Sequence, residues 1–397
     1  MPEAYERAVV ADVLDGLALP KKLIHILVGP RQVGKSTAAD QVGSRWRGKV
    51  VKAVADQPLP PGPEWIQGHW DHARSFSAQG TPTLLILDEV QMVRGWSESV
   101  KAQWDDCVSR DLPLHVIVLG SSSLLVQEGS NESLAGRFLH YKVNHWGYRE
   151  MRDAFGWNLD KWVCFGGYPG AAPLAPKEHI WRRYIVDSLI ETVLGRDVLQ
   201  LRSVAKPALL RHLFLLAMSY PSQILSYNKM LGQLQEAGNA TTLAHYLTLL
   251  ESAFLLSGLE KFKKGILRKR GSSPKLIAWN NALVTSLSGR GFDETRADTR
   301  WWGRLVENAV GAHLLNNLHT TSAGICHWRE RDREVDFVVA TPNKTVAIEV
   351  KSGREGKGEG LTAFLKRYPD ATVRTVGGNG IPLEEFFLSD PVELLAV

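Results

Sequence analysis

The segment GPRQVGKS, residues 29–36, places two glycines, a lysine and a serine at a spacing suited to phosphate binding. It follows the apolar run LIHILV and precedes a helix-compatible stretch. Glycines let backbone N–H groups curl around phosphates, while Lys35 would reach the β- and γ-phosphates and Ser36 would bind Mg²⁺ at a helix N-terminus. The pattern predicts a site for a nucleoside triphosphate. The predicted contacts are Gly29, Pro30, Arg31, Gln32, Val33, Gly34, Lys35, Ser36 and Thr37.

Two acids, Asp88 and Glu89, end the apolar run TLLILDE further along the chain. Carboxylates at the end of a buried strand are costly unless they serve a cation or a water molecule. Asp88 would hold Mg²⁺ and Glu89 would orient the attacking water as a base, whereas the alternative is a strand that ends in solvated acids. The next apolar run ends in LGSSS, where Ser121 or Ser122 would sense the γ-phosphate or serve as turn residues.

A second set of polar residues lies near the C-terminus. Glu307 falls in a helical pattern, Asp336 in EVDFVVA, and Glu349 and Lys351 in AIEVKS. Alternation along a strand puts Glu349 and Lys351 on one face, beside Asp336 of the neighbouring strand. The carboxylates could then hold Mg²⁺ while Lys351 positions an attacking water or stabilises developing charge.

A basic run, KFKKGILRKRGSSPK at residues 261–275, contains seven Lys or Arg and no acid. The whole chain has a net charge of +5 and a pI near 9.0, a mild excess that favours polyanionic partners. The run therefore predicts a local anion-binding surface.

Three regions must position these residues. In residues 1–160, the strand-like runs LIHILVG, TLLILDE and LHVIVLG alternate with helical stretches, which predicts an α/β fold with a parallel sheet. Residues 161–290 show helical periodicity and end in a hairpin. Residues 300–397 contain a helix, the strands REVDFVVA and TVAIEVK, another helix and the strand TVRTVG, which predict a small α/β unit.

The bulk properties indicate an ordinary globular protein of two or three domains, with 397 residues, 44% of them hydrophobic and 22% charged. Apolar runs fall short of the roughly 20 residues that span a bilayer, and the start MPEAYERAVV resembles no targeting signal, so a cytoplasmic location without membrane contact is expected. The cysteines, Cys107, Cys164 and Cys326, support neither a disulfide framework nor a zinc site.

Together GPRQVGKS, LDEVQ, LGSSS, SLAGRF and FGGYP resemble a family of prokaryotic AAA-type ATPases that carry a conserved C-terminal region of uncertain function. The resemblance implies a P-loop NTPase core, ATP and Mg²⁺ as cofactors, and a homo-oligomer, with a hexameric ring as the expected form. Arg137 in SLAGRF would then be an arginine finger or sensor that acts on a neighbouring subunit, or else part of a structural salt bridge.

The order of elements between Leu209 and Ala278 resembles a winged-helix domain, with Thr241, Thr242, His245 and Tyr246 near the start of its recognition helix. The alternative is a lid whose basic wing only keeps it soluble. The E…D…E-x-K pattern resembles the core of the PD-(D/E)xK nuclease superfamily, which includes inactive domains retained for binding. The predicted cations of the wing are Lys263, Lys264, Arg268, Lys269 and Arg270.

The leading functional hypothesis is ATP hydrolysis coupled to the binding or remodelling of duplex or branched DNA. One alternative is a signalling or defence oligomer that nucleotide controls and that binds a protein partner. The other is an ATP-regulated, Mg²⁺-dependent DNA nuclease. DNA-stimulated hydrolysis favours the first hypothesis, DNA-insensitive hydrolysis the second, and cleavage that Lys351→Ala abolishes the third.

Overall fold

The computed structural model describes residues 5–120, 134–198, 204–234, 239–264, 272–318, 321–353 and 359–396, apart from the side chains of residues 196 and 197. The chain divides into two compact units, Met1–Asn144 and His145–Val397. The finer division at residues 160 and 290–300 stays a prediction. None of the helices in the described ranges has the length and apolar character needed to cross a membrane.

The first unit contains a parallel sheet of five strands in the order β2-β3-β4-β1-β5. Every residue of β1 and β3 is buried, as expected for parallel strands covered on both faces. The predicted alternation of strands and helices is therefore confirmed. Its elements are α1 (Ala8–Leu17), β1 (Ile24–Val28), α2 (Lys35–Arg45), β2 (Lys49–Val54), α3 (Pro63–Ser77), β3 (Thr83–Asp88), the 3-10 turn Val90–Met92, α4 (Trp96–Ser109), β4 (Leu114–Gly120) and β5 (Phe138–Lys142).

The sheet brings the two predicted parts of the nucleotide site to one edge. Residues 29–34 follow the carboxyl end of β1, and Asp88 is the last residue of β3, with β4 between the two strands. Because these strands are parallel, their carboxyl ends lie on the same side of the sheet. Ligands of open α/β sheets bind at the carboxyl ends of the strands.

The second unit begins with helical segments. Two of them, Tyr184–Ile190 and Val193–Asp197, have π-helical hydrogen bonding. The other segments of this part are α5 (Tyr148–Phe155), α6 (Leu159–Phe165), the 3-10 helix Pro169–Leu174 and α7 (Glu178–Arg183).

The glycine pair of the motif FGGYP has a structural role in this unit. Gly166 has a φ of 67°, and a Cβ atom there would lie 1.9 Å from Asn280 Oδ1. A Cβ atom on Gly167 would lie 1.9 Å from the carbonyl oxygen of Trp146. The Gly167 N–H donates to Asn280 Oδ1 at 3.0 Å, so the glycines allow a distant part of the chain to approach this backbone closely.

A group of three helices and a hairpin follows: α8 (Pro207–Ser219), α9 (Tyr227–Leu234), α10 (Ala240–Ser252), β6 (Leu256–Leu259) and β7 (Lys275–Ala278). The two strands pair antiparallel, and Ile224 forms an isolated bridge with Lys275. The helical region and the hairpin at its end agree with the sequence prediction. The helices that come next are α11 (Asn281–Ser288), α12 (Phe292–Ala297) and α13 (Thr299–Leu318).

The rest of the second unit contains a sheet of four strands in the order β11-β10-β9-β8. Strand β9 pairs antiparallel with β8 and β10, whereas β10 pairs parallel with β11. A bridge between Lys261 and His327 links the hairpin to β8. The predicted α/β arrangement is present. Its elements are β8 (Gly324–Glu330), β9 (Arg333–Ala340), β10 (Thr345–Lys351), α14 (Glu359–Arg367), β11 (Thr372–Gly377), α15 (Leu383–Leu388) and α16 (Pro391–Leu395).

Candidate functional sites

The loop between β1 and α2 follows a path that needs glycine at two positions. Gly34 has a φ of 90° and precedes Lys35, the first residue of α2. A Cβ atom on Gly29 would lie 2.0 Å from the carbonyl oxygen of Val143. Both glycines are therefore needed for the path of the loop, which ends at a helix N-terminus suited to an anion.

Lys35 is 6% exposed, and its Nζ donates to the carbonyl oxygens of Gly29 and Pro30 at 3.0 and 2.7 Å. Main-chain oxygens hold the ammonium within the loop, so that bound phosphates would compete with them for it. Ser36 Oγ donates to Asp88 Oδ2 at 2.6 Å. The hydroxyl and carboxylate predicted to share Mg²⁺ are thus adjacent, and this pair fits the metal because both groups supply oxygen ligands.

Glu89 follows Asp88 in a left-handed backbone conformation with φ at 54°. Its N–H donates to Asp88 Oδ1 at 2.9 Å, so both oxygens of Asp88 accept hydrogen bonds. Gln91 Nε2 donates to Glu89 Oε2. Non-glycine residues with positive φ are uncommon and cluster at functional sites.

Sequence reasoning missed Arg7, which supports this loop from outside the motif. Its Nη1 donates to the carbonyl oxygens of Val33 and Asn144 at 3.1 and 3.0 Å. No motif pointed to Arg7, because its role depends on contacts that only the folded chain creates.

Arg137 lies beside the amino end of β1, whereas Gly29 follows the carboxyl end of this strand. The carbonyl of Arg137 accepts from the N–H of Ile24, the first residue of β1, and a five-residue strand is roughly 16 Å long. Its guanidinium donates to both oxygens of Asp105, at 2.7 and 3.2 Å. The hydrogen bond with Asp105 is the main reason that the pKa of Arg137 is raised. Arg137 therefore makes the salt bridge that was the alternative prediction, and an action on a neighbouring subunit stays a prediction. Ser121 and Ser122 lie outside the described residues.

A second lysine centre lies in the other unit. Glu307, Glu334 and Asp336 each have a carboxylate oxygen within 4.8 Å of the others. Lys275 Nζ lies among them, 2.5 Å from Glu307, 3.3 Å from Glu334 and 3.4 Å from Asp336. Burial would lower the pKa of Lys275, but the carboxylates outweigh it and raise the pKa. Lys275 was predicted to belong to an anion-binding surface; this is wrong, because its side chain is fully buried among acids.

The predicted ligand Glu349 is not part of this carboxylate group within the described residues. Lys351 Nζ lies 2.5 Å from Glu349 Oε1, so these two residues pair with each other. Asp336 Oδ2 accepts from the N–H of Val350 at 2.8 Å. Sequence reasoning missed Glu334, although it stands two residues before Asp336 and could have been found by the same strand alternation.

A cavity of about 590 Å³ lies where the hairpin meets the second sheet. Five basic residues and one acidic residue line the cavity. Two of the basic residues, Lys263 and Lys264, were predicted to bind DNA as part of the wing. The lining residues are Lys261, Phe262, Lys263, Lys264, Trp328, Arg329, Glu330, Arg367 and Tyr368. Arg268, Lys269 and Arg270 lie outside the described residues.

Helix α10 carries the other predicted DNA contacts. Thr241 and His245 are exposed. Thr242 is half-buried, and its N–H and hydroxyl donate to Asn239 Oδ1, the helix cap, at 2.8 and 3.0 Å. Tyr246 is 2% exposed, and its hydroxyl accepts from the N–H of Lys206 at 3.0 Å. Tyr246 lies in α10, as expected, but its side chain is on the inner face of the helix.

Comparison with known proteins identifies the domain that contains the first of these sites. A family model described as an AAA domain matches residues 21–152, which include the glycine loop, Asp88 and Glu89. This part of the chain is a P-loop ATPase domain. More narrowly, it is an ATPase domain of the AAA type, as the sequence motifs predicted. Two domains of unknown function, DUF8612 and DUF4143, match residues 156–294 and 302–383.

Two curated proteins are similar over most of the chain. They are the uncharacterized proteins Mb2031c of Mycobacterium bovis and Rv2008c of Mycobacterium tuberculosis, each 25% identical over 344 residues, or 84% of this chain and 71% of theirs. A structure of PCH-2 from C. elegans is similar over 36% of this chain and 44% of that chain, with 15% identity and a TM-score of 0.27.

Proposed function

We propose that this protein is an ATPase that uses ATP hydrolysis to act on duplex or branched DNA held by its second unit. The observation that carries the DNA part of the proposal is the cavity of about 590 Å³, whose lining contains Lys261, Lys263, Lys264, Arg329 and Arg367 and the acid Glu330. A concave surface with this excess of positive charge suits a phosphate backbone, because each neutralised phosphate releases counterions.

The ATPase part rests on the residues of the glycine loop and β3. Lys35 would exchange the carbonyls of Gly29 and Pro30 for the β- and γ-phosphates. Ser36 and Asp88 would hold Mg²⁺, which when bound neutralises charge on the phosphates. Glu89 would accept a proton from the attacking water.

The arrangement of helices and strands before the cavity supports a winged-helix mode of binding. Three helices, α8 to α10, precede an antiparallel hairpin, and Ile224 adds a short bridge to its second strand. The exposed residues Thr241 and His245 of α10 suit contacts in a groove of DNA. The basic hairpin suits the backbone, which it would bind without reading sequence.

Assembly into a homo-oligomeric ring is part of the proposal. An AAA-type domain supports it, since such domains bind nucleotide between neighbouring subunits, and Arg137 would have to leave Asp105 to act there. The alternative to DNA is a protein partner, and the following experiment distinguishes the two.

The test is steady-state ATP hydrolysis titrated with single-stranded, duplex and four-way junction DNA. We expect stimulation by duplex or junction DNA. Hydrolysis that none of the three DNAs changes would remove DNA as the substrate and favour the protein partner.

A matched pair of variants locates the DNA on the cavity. Arg367→Glu reverses a charge that lines the cavity, whereas Lys366→Glu reverses an exposed charge next to it in α14 that does not. We expect Arg367→Glu to weaken duplex binding about tenfold and to lower the salt slope by about one, as for loss of one phosphate contact. Equal effects of the two variants would show that DNA does not use the cavity.

A further inference from the structure

The carboxylates of the second unit surround a cation that the chain itself supplies. Lys275 Nζ lies within 3.4 Å of Glu307, Glu334 and Asp336, and its side chain is 0% exposed. An ammonium has three N–H donors and no acceptor. Each donor therefore has one carboxylate as its partner.

This convergence is fixed by the surrounding scaffold. Asn308, next to Glu307 on α13, binds the backbone of Ala278 on β7: its Oδ1 accepts at 2.9 Å and its Nδ2 donates at 3.0 Å. Asn308 is fully buried. Helix α13 is thereby clamped to the strand that starts with Lys275. The ring of Phe337 also faces the ammonium, 5.0 Å from its centroid.

A metal ion does not fit beside this ammonium. Mg²⁺ requires near-octahedral oxygen ligands at about 2.0–2.1 Å, and Lys275 Nζ already lies between the oxygens that would supply them. The second oxygen of Asp336 accepts from the N–H of Val350. Glu349, the other predicted ligand, is paired with Lys351.

We propose that the Lys275 ammonium takes the place of a divalent metal among Glu307, Glu334 and Asp336, so that these carboxylates bind a metal only when Lys275 is removed. The second unit then needs no metal for its structure, and this group does not support metal-dependent cleavage. The proposal is independent of DNA binding, since it concerns a buried group and is tested without DNA.

The test is Mn²⁺ uptake by the full-length chain without nucleotide, followed by the electron paramagnetic resonance signal of free Mn²⁺. All chains carry Asp88→Asn, so that the ATPase site does not contribute. We expect the chain with Lys275 to bind no Mn²⁺ through this group and the chain with Lys275→Met to bind one ion. Added Mn²⁺ should also raise the thermal midpoint of the Lys275→Met chain alone.

Two controls make each outcome decisive. Adding Asp336→Asn to Lys275→Met should abolish the uptake. A folded Lys275→Met chain that binds no Mn²⁺ overturns the proposal. If that variant does not fold, the chain with Lys275 decides: Mn²⁺ uptake that Asp336→Asn abolishes would show that the metal displaces the lysine, and no such uptake supports the proposal.

Discussion

Each of the two units has a buried lysine with oxygen atoms around its ammonium. Lys35 donates to the uncharged carbonyl oxygens of Gly29 and Pro30. Lys275 lies among the carboxylates of three acids. The carbonyl oxygens bring no negative charge to Lys35, whereas the three acids offset the charge of Lys275.

The difference indicates how each site can respond to ligands. Replacing carbonyl partners by phosphate oxygens converts neutral hydrogen bonds into charge-assisted ones, which are roughly twice as strong. Removing Lys275 from its acids would leave three half-buried carboxylates close together without a counter-ion, which is unfavourable. The first lysine is suited to exchange its partners, and the second is suited to stay in place.

The largest expected effect is on activity at the first lysine. Lys35→Ala should lower the rate of ATP hydrolysis about a thousandfold, or ~4 kcal/mol in the barrier, because the phosphates lose their ammonium. The free energy of unfolding should change little. Steady-state hydrolysis and urea unfolding measure both, with the exposed Lys21→Ala as the control. Hydrolysis that stays at the parent rate would contradict the assignment of the nucleotide site.

The second lysine should show the reverse pattern. Lys275→Met should destabilise the second unit by about 3 kcal/mol, since it leaves three half-buried carboxylates close together without their cation. ATP hydrolysis without DNA should stay close to the parent rate at a temperature where the variant is folded. The control is Lys264→Met, an exposed lysine of the same basic run. Equal urea midpoints for the two variants would mean that the acids do not depend on Lys275.

A smaller effect is expected from pH at a neighbour of this centre. Burial, and then the charge of Lys275, lower the pKa of His327 to about 3. The pKa of His327 is lower in the folded chain than its value of about 6.5 in the unfolded chain. The neutral imidazole therefore contributes its full stabilisation at a pH above 6.5, and this contribution is lost as the pH falls toward 3. At pH 5 the free energy of unfolding should be about 2 kcal/mol lower than above pH 6.5 because of this group.

Urea unfolding at pH 7.5 and pH 5.0 measures this loss for the parent and for His327→Gln, which keeps a donor for the carbonyl of Ser273. The parent should lose more stability than the variant over this interval. The same loss in both would show that His327 is not the group that titrates.

The sequence allowed the nucleotide site to be predicted because its chemistry lies in one continuous loop and one strand end. Gly34, Lys35, Ser36 and Asp88 have the predicted placement, since a parallel sheet brings strand ends to one edge. Arg7 could not be predicted, because its contacts with the loop depend on how α1 enters the fold.

The second centre could be predicted only in part. Alternation along β9 and β10 identified Asp336 and pointed to Glu349, but Lys351 lies on the same face and takes Glu349 as its partner. Lys275 could not be distinguished from the exposed lysines of the basic run, because charge composition does not reveal which member of a run starts a buried strand. That distinction depends on tertiary packing.

The contact between Gly167 and Asn280 has a consequence for how the protein is made. The hydrogen bond joins residues that are more than a hundred positions apart, and a side chain at Gly166 or Gly167 would collide with its neighbours. We expect the first unit to fold before the second is complete during synthesis, because residues 1–144 form a compact unit of their own. The hydrogen bond to Asn280 can form only after residue 280 has emerged, so we expect the early helices of the second unit to complete their packing later than the first unit.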